Sequence, residues 1–180
     1  MLLYLKNHQG VSMSNFKTIS PEELQKNPFH LIGKEWMLIA ASKGDKTNAM
    51  TASWGGVGIM WNKPVAYIAI RQTRYTKEFV DASDKLSLNF FGENFRKELA
   101  YFGKVSGRDE DKIAKTGMKV SVNDGAPVFD DAETVLVCRK LFAQRYDENS
   151  FVDKSLLDTY YGKESQHTFY IVEIEKILVK

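Results

Sequence analysis

Asn48-Ala-Met-Thr-Ala-Ser-Trp-Gly-Gly56 and, one strand further on, Arg71-Gln-Thr-Arg-Tyr-Thr76 are the stretches whose reading decides the fold. The first sets Thr51, Ala52 and Ser53 beside two adjacent glycines. Glycines inside a strand pattern mark a bulge or the close approach of another group. Two readings follow for this run. It is a structural bulge with Trp54 packed into a core or an interface, or it is the floor for a flat ring. Between the two stretches, Pro64-Val-Ala-Tyr-Ile-Ala-Ile70 reads as a buried strand. The second stretch closes at Thr76, where a helix begins. A helix N-terminus offers unpaired N–H groups and a positive dipole end. Arg71 and Arg74 add guanidinium forks that match phosphate. The alternative is that Thr76 only caps its helix and both arginines are solvated. Together the two stretches describe a flat, backbone-accessible surface beside a cationic, hydroxyl-rich corner. A ring system carrying a phosphate suits such a surface.

Outward from this pair, Trp36–Ala41 reads as a strand and Ser42–Thr47 as a turn with Gly44-Asp45 at its tip, and the returning strand starts at Ala49. Upstream, Ser20 followed by Pro21 reads as an N-cap and first helical residue. Downstream, Thr76 is expected to cap a short helix reaching about Ser83. Leu86-Ser-Leu-Asn-Phe90 alternates as a half-buried strand does. Phe95, Leu99 and Phe102 share one helical face. Ser106–Lys112 is a polar loop leading into a helix that Gly117 ends, with Asp109 as a cap. Met118–Val122 reads as a strand before the turn signal Asn123-Asp124-Gly125. Glu133–Gln144, His167–Ile174 and Ile177–Val179 are further strands. The sum, about seven closely spaced strands with two to four short helices, argues against parallel βαβ units. A mainly β, mostly antiparallel closed sheet with helices outside it fits better.

Composition narrows the function classes. The chain has 180 residues, enough for one domain with a sizeable core. Residues 1–12 read as a disordered extension ahead of Met13, leaving 13–180 as a single domain. The 25 basic residues nearly balance the 23 acidic ones, so nothing draws the chain to nucleic acid or an anionic membrane. Clustered cations interleaved with exposed aromatics are also lacking, which argues against a nucleic-acid-binding barrel. No apolar run approaches the roughly 18 residues that span a bilayer. A cytoplasmic protein is expected. One cysteine, Cys138, excludes an intrachain disulfide framework; in its strand-like run it reads as a buried, inert thiol.

His8, His30 and His167 are too scattered to suggest a metal site. Dinucleotide, P-loop and nucleophile-elbow motifs are missing. Ser106-Gly107-Arg108-Asp109 either folds over a ligand or only leads into its helix. His167 opens a strand, where a satisfied structural histidine is the default. Tyr160-Tyr161 reads as core or dimer contact, or as the wall of a ring site.

In order and separation, Asn48–Gly56, Arg71–Thr76 and Ser106-Gly-Arg-Asp-Glu-Asp-Lys112 resemble the flavin reductase-like family, which includes the flavoredoxins and FMN-binding split-barrel reductases. The resemblance runs from about Trp36 to Ile174. It implies a split β-barrel, a homodimer and non-covalent FMN near the subunit interface. Carried over by position, Ala49, Met50, Thr51 and Ser53 would lie along the isoalloxazine ring, and Arg71, Thr73, Arg74 and Thr76 would hold the ribityl phosphate and the pyrimidine side. Asn48, Ala52, Trp54 and Tyr75 complete the implied cofactor-binding set. Ser106 and Gly107 would close over the flavin. Many relatives carry Pro where this chain has Gln72. Tyr160–His167 resembles the family's tyrosine-glycine-histidine segment, with a longer gap before His167, the one side chain that becomes a catalytic candidate. The implied activity is hydride transfer from NAD(P)H to flavin, with electrons passed to an acceptor or partner protein and no metal involved. The alternative is an FMN-binding electron carrier without NAD(P)H turnover.

Overall fold

The computed structural model describes residues 16–162 and 165–180; the expected extension at 1–12 lies outside them. Among the described residues ten strands form: β1 (Lys17–Ile19), β2 (Met37–Lys43), β3 (Lys46–Ala52), β4 (Gly55–Met60), β5 (Lys63–Arg71), β6 (Lys85–Phe90), β7 (Val120–Asn123), β8 (Ala126–Phe129), β9 (Thr134–Arg145) and β10 (His167–Val179). Five short helices accompany them: α1 (Pro28–His30), α2 (Tyr75–Ala82), α3 (Arg96–Lys104), α4 (Lys112–Thr116) and α5 (Ser155–Tyr160).

The main sheet runs β3-β2-β6-β9-β10-β5-β4, with β1 added to β10. Every pairing in it is antiparallel. The sheet curls but does not close, which corrects the closed sheet expected from strand spacing. Its ends, β3 and β4, are consecutive in sequence. At Ser53-Trp54 the chain leaves one end of the sheet and starts the other, so the Thr51–Gly56 run is the split itself rather than a bulge. Gly55 is needed there: its φ is +156°, and a Cβ would sit 2.3 Å from the Tyr67 carbonyl oxygen.

The C-terminal strands expected as two are one. His167 to Val179 is continuous and absorbs register shifts near Ile171 and Ile174 opposite β9. It carries β5 and β1 on one edge and β9 on the other. Inside the curl, Ile39, Ile68, Ile70, Leu88, Phe90 and Tyr170 form one core. A second core packs Leu38, Ala40 and Ala49 against Leu99 and Phe102 of α3 and Phe129 of β8.

The alternation in β6 has a different meaning from the expected half-exposed strand. Ser87 and Asn89 are fully buried. Ser87 Oγ donates to the Pro127 carbonyl. Asn89 accepts from the Phe129 N–H (3.0 Å) and donates to the Leu38 carbonyl (3.2 Å). These bonds tie the separate β7–β8 hairpin to the main sheet and satisfy polar groups that burial would otherwise penalise. The hairpin turns at Asp124-Gly125, both at positive φ, as its sequence predicts.

The caps shift by a few residues. Ser20 and Glu23 form the reciprocal capping pair, but over a single 3-10 turn, Pro21–Glu23. The N-cap of α2 is Arg74, which puts Thr76 inside the helix. Asp111, not Asp109, caps α4 by accepting from Ala114 N–H at 3.0 Å. Gly117 ends α4 in the left-handed region (φ +69°), as expected. Phe95 precedes α3 in a 3-10 turn, while Leu99 and Phe102 form its buried face. Cys138 is buried, and desolvation pushes its thiol far up, in line with an inert group.

Candidate functional site

Two adjoining cavities open where β3, β5, α2, α3 and the start of β10 meet. The larger, about 440 Å³, is lined by Met50, Thr51, Ala52, Ser53, Trp54, Ala69, Arg71, Thr73, Arg74, Gly103 and His167. The smaller, about 170 Å³, shares Met50, Thr73 and Arg74 and adds Asn48, Tyr75, Thr76, Lys104, Val105, Ser106, Gly107 and Lys112. Every cofactor-binding residue expected from the sequence lines one of them except Ala49. Ala49 points the other way, into the α3 core, because neighbours along a strand face opposite sides.

At the small-cavity end the wall is a network of buried hydrogen bonds. Asn48 Nδ2 donates to Thr76 Oγ1 at 2.9 Å. Thr76 therefore works as an acceptor for β3 rather than as a cap. Gly107 presses on this pair, and a Cβ there would lie 2.3 Å from Asn48 Oδ1 and 3.0 Å from Tyr75 Cδ1. Arg108 holds the strap down: it donates to the Thr73 carbonyl at 3.1 Å and lies over the Tyr75 ring at 4.8 Å.

Two cations then bridge β3 to the C-terminal end of α3. Arg74 donates to the carbonyls of Gly103 (2.7 Å) and Thr51 (3.3 Å). Lys112, only 3% exposed, donates to the carbonyls of Ala49 (2.7 Å) and Phe102 (3.1 Å). Helix C-termini favour cations, and the Phe102 and Gly103 carbonyls lie in the last turn of α3. Neither cation pairs with a carboxylate among the described residues. Burial, reinforced by the charge of Arg74, lowers Lys112 from 10.5 to about 8. Burial and then the charge of Arg71 lower Arg74. Two desolvated positive charges without a counter-charge are costly, and an anion placed between them offsets that cost.

At the other end the wall is aromatic. Trp54 meets Tyr160 edge-on (centroids 5.3 Å apart) and lies 5.2 Å from His167. His167 Nδ1 is 3.1 Å from the Tyr161 hydroxyl. Arg71 sits 5.6 Å from the Tyr161 ring centre and donates to the carbonyls of Tyr160 (3.2 Å) and Ser165 (3.4 Å). It thus anchors the segment in front of β10, whose residues 163 and 164 lie outside the described ones. Beyond Trp54 a further cavity of about 580 Å³ is lined by Tyr146, Phe151, Tyr160, Tyr161 and Phe169.

Sequence reading missed Ala69, Gly103, Lys104, Val105 and Lys112. Lys112 lay inside a quoted motif but looked like one more solvated charge in an acidic turn. Its signal was the α4 register, which sets the residue after the Asp111 cap inward. Gly103 is small because α3 passes close to β3: a Cβ would be 3.4 Å from that of Thr51. Among the described residues no cluster of side chains suits a metal ion.

Residues 29–180 match the flavin reductase like domain, and the chain belongs to that family. A search of curated proteins returned no match. Among solved structures, the chain is similar to the flavoredoxin of Methanosarcina acetivorans: 21% identity, 81% of this chain and 68% of that one, TM-score 0.65. An FMN-binding domain of a flavin reductases-like enzyme from Shewanella baltica is similar at 15% identity over 92% and 78%, with a TM-score of 0.67. The FMN-binding protein of Thermus thermophilus aligns over all of this chain and 82% of its own, at 14% identity and a TM-score of 0.63. At these identities the structural likeness establishes the split-barrel fold alone.

Proposed function

We propose that the paired cavities bind FMN and that the protein is an NAD(P)H-dependent flavin oxidoreductase. The observation that carries this reading is the joining of two unlike sites. A ring-sized cavity floored by Met50, Thr51, Ala52 and Ser53 runs into a small polar one containing two cations in need of an anion. A flat ring joined by a short chain to a phosphate matches that shape and charge. The family membership and the three similar structures, two of them FMN-binding by name, support the same ligand.

When bound, the flavin supplies the redox chemistry, accepting hydride at N5. What the chain contributes is placement. Small side chains on β3 leave its backbone open to the ring. Arg74, Lys112, Ser106 and the first N–H groups of α2 hold the anionic end. Trp54 and His167 wall the ring cavity, and the cavity beyond Trp54, lined by Tyr160 and Tyr161, gives a nicotinamide an approach to the ring. Fixing two rings in near-attack range is worth about 7–11 kcal/mol at best. No nucleophile or general base is required, and His167, bonded to Tyr161, orients the wall. Exposed Ile59 and Trp61 at β4, with Phe142 packing 6.4 Å from Trp61, support a homodimer.

Titration with FMN followed by steady-state oxidation of NADH and NADPH tests the reading. Saturable FMN binding with turnover supports it. Tight FMN binding without turnover supports an electron carrier instead. Absence of FMN binding overturns both.

A further inference from the structure

Between the end of β9 at Arg145 and the start of β10 at His167 the chain makes an excursion from the sheet. Arg71 pins it through the carbonyls of Tyr160 and Ser165. Tyr146, Phe151, Tyr160 and Tyr161 of the excursion line the cavity of about 580 Å³ together with Trp54 and Phe169. That volume falls within the roughly 300–1,000 Å³ of small-molecule sites. The rings offer both faces and edges. Tyr146 and Phe169 are near parallel, 27° apart with centres 6.3 Å from each other, while Phe151 and Tyr161 meet Tyr146 edge-on. A planar molecule gains from either arrangement. The charged side chains of the lining are Arg145 and Asp147, one of each sign, so the cavity has no net attraction for an anion. The hydroxyls of Tyr146, Ser150 and Tyr160 make no hydrogen bond among the described residues, which leaves donors for a carbonyl oxygen. Trp54 lines this cavity and the ring cavity alike, so an occupant lies beside the ring site.

We propose that this aromatic cavity binds a planar, uncharged carbonyl compound of the quinone class, and that this compound is the electron acceptor of the oxidoreductase. The acceptor role rests on the FMN reading; the binding site does not. Stacking on the rings supplies affinity, and the unbonded hydroxyls select a ligand with carbonyl oxygens over a plain hydrocarbon. A dinucleotide is a poor resident, because its two phosphates would meet one arginine balanced by Asp147. The conversion balances as quinone plus NAD(P)H plus a proton giving hydroquinone plus NAD(P)+. The nicotinamide gives up two electrons with one hydrogen, water supplies the other proton, and both C=O groups become C–OH.

The test is calorimetric titration of duroquinone, whose fully methylated ring resists addition by protein nucleophiles, into the protein with and without FMN. Saturable binding is expected in both states. Tyr146→Phe keeps the ring and loses the hydroxyl, so duroquinone should bind about fivefold more weakly. Phe151→Ala removes a wall and should cost about tenfold. FMN affinity should stay within about twofold in both variants, since neither residue lines the FMN cavities, and it reports that they are folded. With FMN present, duroquinone should accelerate NADH or NADPH oxidation and yield hydroquinone mole for mole. Absence of saturable duroquinone binding, or unchanged affinity in folded Phe151→Ala and Tyr146→Phe, overturns the site. Displacement of duroquinone by AMP would mark an adenylate site and overturns the quinone class. Duroquinone binding without accelerated oxidation overturns the acceptor role. If FMN fails to bind while duroquinone still does, the FMN reading falls together with the acceptor role and the ring site stands.

Discussion

At the Lys112 end of the cavity the polar wall is held by hydrogen bonds: Asn48 to Thr76, Arg74 to Gly103, Lys112 to Ala49 and Phe102. At the Trp54 end the walls are rings in contact, and Trp54 and Tyr160 are both more than 40% exposed. The first end is preorganised for charge and resists change. The second is shaped by stacking and stays open to solvent. On the proposed function the difference divides the labour: the buried end would set affinity for the anionic part of a ligand, and the aromatic end would control what reaches the ring.

The contrast breaks most directly at Arg74. Arg74→Ala removes charge-assisted bonds worth about 1.5–3 kcal/mol each, so FMN affinity should fall on the order of a hundredfold. Riboflavin affinity should fall less. Equal losses in parallel titrations would show that Arg74 serves the scaffold alone.

Stability against pH sharpens the same end. Lys112 is lowered in the folded chain, so the unfolded chain binds more protons between about pH 8 and 10.5. Stability therefore rises with pH across that window. The buried charge costs about 3 kcal/mol at pH 7, of which about 2 kcal/mol is regained by pH 9.5. Cys138, Tyr101 and Tyr170, all raised, act in the opposite direction, Cys138 from about pH 9 and the tyrosines above about pH 10. Because Lys112→Met keeps all three, urea unfolding at pH 7 and 9.5 should show the wild type gaining about 2 kcal/mol relative to that variant. A gain of the same size in both would place the titration elsewhere.

Gly107→Ala is a smaller perturbation. Its Cβ forces Asn48 off Thr76, and a lost hydrogen bond costs about 1 kcal/mol, so FMN should bind about fivefold more weakly. At the opposite end, Trp54→Ala should leave FMN affinity within about twofold and alter the KM for the nicotinamide, because the exposed ring contributes packing without charge. A large loss of FMN affinity in Trp54→Ala would erase the distinction between the two ends.

Much of this was legible in the chain. Small residues, hydroxyls and spacing picked out Asn48–Trp54 and Arg71–Thr76, and the structure brings all of them but Ala49 and Gln72 to the paired cavities. Strand identities followed from alternation. The open sheet did not, since closure depends on whether β3 and β4 meet, and they separate at Ser53-Trp54. Ser87 and Asn89 looked solvated because their partners, Pro127 and Phe129 on the hairpin and Leu38 on β2, are distant in sequence. Lys112 was hidden for a similar reason: one of its partner carbonyls, Ala49, lies on β3, far away in sequence.

The central claim is one flavin held by its phosphate end, and the most direct measurement is a visible-spectrum titration with FMN and, in parallel, riboflavin. The account predicts perturbed flavin bands that saturate at one FMN per chain, with riboflavin binding markedly weaker. A spectrum equal to the sum of protein and free FMN would contradict it.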